Sequence, residues 1–389
     1  MAAHSSQIIE NADIDRDTPQ PEIHVEERSL KLHDYLKTTV KVNGSDLHLQ
    51  EGSIPMIRVD GRARFLDTPP ATEAQMEEFV KQLVADPEKM EILKHKGSID
   101  VAYNMPGFAR FRTSVFHSRE KYAIVMRRIV TKIPMFDELN LPPQVEELAN
   151  HHRGIVVVSG TTGSGKSTSL AAIIGKINRT RNDRIITVED PIEFQHENAK
   201  SLVSQVEVGT DSESYEYALR AMMRQDPDTI LIGEIRDTFS LSTALRAADT
   251  GHLVFTTVHA TNAPMTIERM VSLFDPNQKE LMQTQLGLNL IAVLCQRLAK
   301  RREGKGRIPV IEIMMATPIV RKYILEGEFE KLKGAVGNRE SGSQSFDQHL
   351  TELFQKQIID VSEAKRLASN VDALNLALRG ITNSDTRLR

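Results

Sequence analysis

The chain has 389 residues, 40% hydrophobic and 26% charged, with a net charge of −4, the composition of a globular protein of two or three domains. Its one cysteine, Cys295, excludes an intramolecular disulfide and a cysteine-based zinc module, and matches a reducing, cytosolic setting. The absence of Trp, an aromatic content of 5% and the negative charge supply neither a stacking platform nor an overall basic field for nucleic acid.

Residues 1–28 are polar and acidic, with Pro19 and Pro21, which predicts a disordered extension. They lack the basic start and apolar stretch of a signal peptide. No apolar run approaches the ~20 residues of a membrane span. Residues 29–132 read as a small α+β domain. Leu30, Leu32 and Leu36 begin a helix, and residues 44–49 are extended. Residues 54–65 read as a hairpin turning at Asp60 and Gly61. Residues 72–85 form a helix with Met76, Phe79 and Leu83 on one face. Residues 108–130 hold two strands around His117 and Arg119. Strand alternation sends Arg110 and Arg112 out of one face, and Arg127 and Arg128 follow on the next strand. Such guanidiniums suit a phosphate, and a solvated sheet face is an equal reading of the spacing.

Pro134, Pro142 and Pro143 mark residues 133–144 as a linker. Over residues 145–334 apolar strands at 155–158, 185–188, 230–232 and 253–258 alternate with helical stretches. That pattern predicts parallel strands buried on both faces, an α/β nucleotide-binding core. Cys295 lies in an apolar stretch and is expected to pack in the core. Residues 335–389 read as helical: Phe346, Leu350, Leu353 and Phe354 share one face, and Ala364, Leu367 and Ala368 another.

The most specific motif is Gly160-Thr161-Thr162-Gly163-Ser164-Gly165-Lys166-Ser167, spaced G-x-x-x-x-G-K-S. It sits between a β-branched run and a helix opening at Thr168, the context a phosphate loop requires. Glycines allow successive amides to point at a phosphate, and the helix N-terminus adds partial positive charge. Lys166 is placed to reach the β- and γ-phosphates of ATP, and the Ser167 hydroxyl to ligate Mg²⁺.

A nucleotide hydrolase also needs carboxylates for water and metal. Glu189 follows the strand at 185–188, and Glu234 follows the strand at 230–232. The spacing favours Glu234 for the γ-phosphate side and leaves open which of the two is the general base. His252 and His259 bracket the strand at 253–258. Seven residues apart, they leave a regular strand on opposite faces, which argues against a metal pair. One of them senses the γ-phosphate, or both are hydrogen-bonded strand ends.

Together these motifs resemble the secretion ATPases of the type II/type IV pilus superfamily, and within it the twitching-motility retraction ATPases, over residues 30–381. The glycine loop resembles that family's Walker A, residues 186–193 its aspartate box, residues 231–237 its Walker B and residues 251–259 its histidine box. Residues 44–48 and 110–112 resemble the start and the arginine strand of its N-terminal domain. The resemblance implies an α/β fold: a RecA-like P-loop ATPase core, a smaller N-terminal α+β (PAS-like) domain and a helical C-terminal tail. It implies ATP or ADP with Mg²⁺, bound by Gly160 to Thr168, with Ser167 and Glu234 at the metal. Glu234, Glu189, Lys166 and His259 would serve catalysis. Arg110, Arg112, Arg127, Arg128, His252, Arg269 and Arg321 would be available to the nucleotide.

The implied assembly is a homohexamer in the cytoplasm, peripheral at the inner membrane and without direct insertion. It would work on an inner-membrane platform protein to depolymerise a pilus, with no nucleic-acid partner. The missing four-cysteine module points away from the assembly and secretion branch. A retraction signature survives only around Arg321, in Pro318-Ile319-Val320-Arg321-Lys322-Tyr323. This leaves open an accessory role beside a second retraction ATPase. The rivals are an assembly or secretion ATPase, a non-hydrolysing nucleotide-dependent adaptor and a DNA-translocating motor.

Overall fold

The structure is a computed structural model that describes residues 23–24, 30–59, 62–105, 108–129, 133–304 and 306–379. Most of the expected extension, and the expected turn at Asp60 and Gly61, lie outside the described residues. The chain divides into two units, Met1–Arg128 and Ile129–Arg389.

The first unit holds strands β1 (Ile23–His24), β2 (Asp46–Gln50), β3 (Met56–Val59), β4 (Arg62–Asp67), β5 (Ser98–Met105), β6 (Ala109–Ser118) and β7 (Lys121–Ile129). They form one sheet in the order β1-β4-β3-β2-β7-β6-β5. Helices α1 (Leu32–Lys41), α2 (Glu73–Leu83) and α3 (Pro87–Lys96) accompany it. Thr72 and Gln75 form the capping box that starts α2. Leu32, Tyr35 and Leu36 of α1 pack with Met76, Phe79 and Leu83 of α2, and with Phe111, Ile124 and Met126 of the sheet. Along β6, Ala109 and Phe111 are buried while Arg110 and Arg112 face away, as strand alternation predicts. α3 and β5 are not visible in the sequence pattern. Leu93 is the buried residue of α3, so no apolar stripe marks that helix.

The second unit opens with short helices α4 (Phe136–Leu139) and α5 (Pro143–Glu147). Phe136 and Val145, at and beside the proline-marked segment, are buried in the core of this unit. Strands β8 (Gly154–Ser159), β9 (Arg184–Glu189), β10 (Leu202–Glu207), β11 (Thr229–Ile232), β12 (Leu253–Val258), β13 (Leu290–Lys300) and β14 (Arg307–Met315) form a second sheet. Its order is β10-β9-β11-β12-β8-β13-β14. All pairings are parallel except that of β14 with β13, so the sheet is mixed at one edge. The four strands read from the sequence are its centre; β10, β13 and β14 extend it.

β8 is buried along its whole length because it feeds two cores. Ile155 and Val157 join one, against Leu241, Ala244 and Leu245 of α8 (Thr238–Asp249). Val156 and Val158 join the other, against Leu170, Ile173 and Ile174 of α6 (Lys166–Thr180). That double burial is why the run is continuously apolar. Helices α7 (Tyr215–Met222), α9 (Ala263–Ser272) and α10 (Pro276–Asn289) complete the α/β portion. They are followed by α11 (Pro318–Leu325), α12 (Phe329–Gly337), α13 (Phe346–Gln355), α14 (Val361–Leu367) and α15 (Val371–Leu378). α13 buries Phe346, Leu350 and Leu353, with Phe354 partly buried beside them, on the expected face. Cys295 is buried, with its Sγ 2.8 Å from Ser159 Oγ, as core packing requires. No helix among the described residues is long and apolar enough to cross a membrane.

Candidate nucleotide site

The glycine loop leaves the C-terminal end of β8 and runs into α6, with Gly165 as the helix N-cap. Gly160 (φ +147°) and Gly165 (φ +90°) adopt backbone that side chains disfavour. A Cβ on Gly160 would also lie 2.5 Å from both Ser164 Oγ and the Gln296 carbonyl oxygen. The loop therefore cannot be built with larger residues at these points. Ser164 N–H bonds to the Thr161 carbonyl. The amides of Gly163, Gly165, Lys166 and Ser167 donate to no other group among the described residues. They are orphan donors at a helix N-terminus, where the 15-residue α6 adds partial positive charge. Ser164 Oγ is buried and also lacks a partner. An anion with several oxygens satisfies this donor set, as a phosphate chain does.

Lys166 is 9% exposed. Its ammonium folds over the loop and donates to the carbonyls of Gly160 (3.0 Å) and Thr161 (3.2 Å). Burial lowers its pKa, opposed by the charges of Glu234 and Glu193. Ser167 and Thr168 stand in the first turn of α6. Among the described residues no three His, Cys, Asp or Glu side chains cluster to hold a metal. A hydroxyl in that first turn is a donor of the type that, with water and phosphate oxygens, suits Mg²⁺ beside a phosphate chain.

β9, β11 and β12 end on the same side of the sheet as β8, because all four are parallel neighbours. Glu234 follows β11. Its Oε1 lies 3.2 Å from His259 Nε2, just beyond β12. Its Oε2 accepts from Arg236 Nε at 3.1 Å, and Arg236 also pairs with Asp190 Oδ2 at 3.0 Å. Tyr215 pins the backbone there: its hydroxyl donates to the Glu234 carbonyl (3.0 Å) and accepts from the Glu234 amide (3.1 Å). Burial pushes that phenol up to about 12. Arg269 Nη1 donates to the His259 carbonyl at 2.6 Å.

Glu189 is close by and differently used. Its Oε1 accepts from Thr187 Oγ1 (2.7 Å) and Gln205 Nε2 (3.2 Å). Burial raises its pKa, opposed by the hydrogen bonds from Thr187 and Gln205. The acidic groups that act on the Lys166 charge are Glu234 and Glu193. Glu193 is exposed and lies four residues further along the same loop. Glu193 is thus a further acidic candidate beside the loop, one that the strand-end pattern did not single out. Arg236, too, lay within a recognised motif without an assigned role, two residues from Glu234.

Two expected nucleotide contacts are not brought to the loop. His252 precedes β12, whose first residue pairs with Gly154. It stands a strand length, ~20 Å, from the glycine loop. Its Nδ1 lies 2.9 Å from the Ala247 carbonyl oxygen, at the end of α8. Arg321 is at that same far end, donating to the carbonyls of Leu288 and Leu290 (both 2.8 Å) where α10 ends. A cavity of about 700 Å³ lies there, lined by His151, Arg153, Leu290, Thr317 and Arg321 among others, and the loop does not border it. The four other arginines belong to the first unit. Arg127 pairs with Asp46 (2.8 Å), Arg128 donates to Asn43 Oδ1 (2.7 Å), Arg112 lies 3.5 Å from Asp100, and Arg110 is on the same strand.

The sequence profile of the family described as "Type II/IV secretion system protein" matches residues 31–366. The type IV pilus ATPase PilU of Pseudomonas aeruginosa is 37% identical over 351 residues, 90% of this chain and 92% of that protein. The type IV pilus retraction ATPase PilT of the same organism is 38% identical over 340 residues, 87% of this chain and 98% of that protein. Among solved structures, the pilus retraction motor PilT with bound ADP matches with a TM-score of 0.82 and 36% identity. That match covers 88% of this chain and 98% of the other.

Proposed function

The chain belongs to the type II/IV secretion system protein family, and from that premise we propose that it is an ATP-hydrolysing motor that powers type IV pilus retraction. The observation that carries this reading is a phosphate cradle of four unpaired amides on the side of the sheet where a paired carboxylate also stands. The amides belong to Gly163, Gly165, Lys166 and Ser167, and the carboxylate, Glu234, is held on both oxygens.

The loop amides and the Lys166 ammonium stabilise the charge of the phosphates, the Lys leaving its two loop carbonyls to do so. Glu234 and Glu193 orient water and receive its proton, and His259 and Arg236 fix the Glu234 carboxylate. Glu189 supports the end of β9. A Mg²⁺ ion on the Ser167 hydroxyl, with Glu234 beside it, would draw charge from the phosphate oxygens.

The remaining parts of the reading follow the family. The unit up to residue 132 and the ATPase core from residue 145 act as two moving bodies. Arg110, Arg112, Arg127 and Arg128 serve a nucleotide as the assembly closes. The working form is a homohexamer in the cytoplasm, held at the inner membrane by a platform protein. Similarity to PilU (37%) and to PilT (38%) is nearly equal, so a motor acting beside a second retraction ATPase has the same support as a lone one.

Deletion in the source organism tests the direction of work. A retraction motor leaves cells piliated but immobile. Bald cells would assign the chain to pilus assembly instead.

A further inference from the structure

The glycine loop is held from below by one residue that no motif includes. Gln296, in β13, is 4% exposed. β13 runs parallel to β8, and Cys295 pairs with Ser159, so Gln296 lies level with the start of the loop. Its main-chain oxygen lies 2.5 Å from the point a Cβ on Gly160 would occupy. Its side-chain Nε2 lies 2.7 Å from the corresponding point on Gly165. Its Oε1 accepts a buried hydrogen bond of 2.8 Å from Ser169 Oγ, in the first turns of α6. One residue thus touches the first glycine of the loop, its last glycine and the helix it feeds.

We infer that Gln296 is a positioning residue for nucleotide binding, acting through its bond to Ser169 to hold the two ends of the glycine loop at the spacing that aims its amides. The inference rests on the ATPase reading and deepens it. The sequence around Gln296 is Leu290 to Leu298, an apolar run broken at Gln296 and Arg297. An apolar residue would suit that buried place better unless its hydrogen bond were required. Arg297 has its own explanation, with its guanidinium 3.8 Å from the centre of the Phe346 ring. Gln296 finds its explanation in the loop. The Lys166 and Ser164 bonds tie the loop to itself, and the Gln296–Ser169 bond ties it to β13, which adds to its preorganisation.

The test compares ATP Kd, KM and kcat for the full-length parent, Gln296→Met, Ser169→Ala and Ser169→Thr. Met keeps the length and bulk of Gln but cannot accept from Ser169. Ser169→Ala removes the same bond from the helix side without altering β13. Both variants are expected to raise Kd and KM about tenfold, the worth of one buried hydrogen bond, with kcat changed less than threefold. Ser169→Thr keeps the hydroxyl and should restore parental values. Because the two substitutions break one bond, the double variant should bind no more weakly than either single. Parental Kd in a folded Gln296→Met or Ser169→Ala protein overturns the inference. A parental chain that binds ATP without hydrolysing it overturns the ATPase reading and leaves the Kd comparison valid.

Discussion

His259 Nε2 lies 3.2 Å from Glu234 Oε1, although 25 residues separate the two in sequence. The contact exists because β11 and β12 are parallel neighbours that end together, and each residue stands just past its strand. The second carboxylate oxygen is held by Arg236. Glu234 thus has a neighbour at each carboxylate oxygen, an arrangement that suits a water-orienting group.

Glu234→Gln should keep the ATP Kd within about threefold of the parent and lower kcat by at least ~100-fold. Glu193→Gln should resemble it. Glu189→Gln should lower kcat far less, because an amide oxygen can accept from Thr187 and Gln205 as the carboxyl oxygen does. Steady-state phosphate release and nucleotide titration separate the three. A Glu189→Gln loss equal to that of Glu193→Gln would make Glu189 a catalytic partner of Glu234.

Arg236 joins Glu234 to Asp190 across two strand ends. Arg236→Gln should lower kcat about tenfold while leaving nucleotide affinity near the parental value, since the loop does not touch it. A rise in Kd with kcat preserved would contradict that placement.

Gly165→Ala sets a side chain at φ +90° and 2.7 Å from Gln296 Nε2. The left-handed backbone alone costs roughly 1–2 kcal/mol. The loop should relax away from the cradle, and the ATP Kd should rise at least ~10-fold. Isothermal titration reads it directly, and an unchanged Kd would show that the loop does not need this conformation.

Much of the site could be read from residue order, because fixed glycines and a lysine can be recognised without knowing any contact. The outward face of Arg110 and Arg112 was equally legible, since alternation with Ala109 and Phe111 sets it. Other features depend on the assembled sheet. The apolar run in β13 has no period that separates a buried strand from a buried helix, and β14 hides in the same way. That Glu193 also acts on the lysine charge depends on the path of the loop after β9. The resemblance offers His252 and Arg321 to the nucleotide, whereas the assembled sheet puts both at its Gly154 end.

Stability should fall in mild acid, in part through His349. This ring is 6% exposed, its Nδ1 accepts from the Ile311 amide, and burial pushes it down to about 4 from an ordinary value near 6.5. The unfolded chain therefore takes up a proton that the folded chain refuses. The loss is absent well above pH 6.5, grows as pH falls below it and is complete below about 4. By pH 5 it amounts to about 2 kcal/mol. His349→Asn, whose side-chain oxygen can replace Nδ1, should lose about 2 kcal/mol less than the parent between pH 7.5 and pH 5 in chemical denaturation. Equal losses would remove His349 from the account.

The most direct measurement is steady-state phosphate release from the purified chain with Mg²⁺ and ATP, with oligomer mass recorded with and without ATP. The parent should turn over, and Lys166→Ala should lose at least ~100-fold of that turnover. No phosphate release in any assembly state, or substantial release from Lys166→Ala, would contradict the claim that this loop holds ATP for hydrolysis.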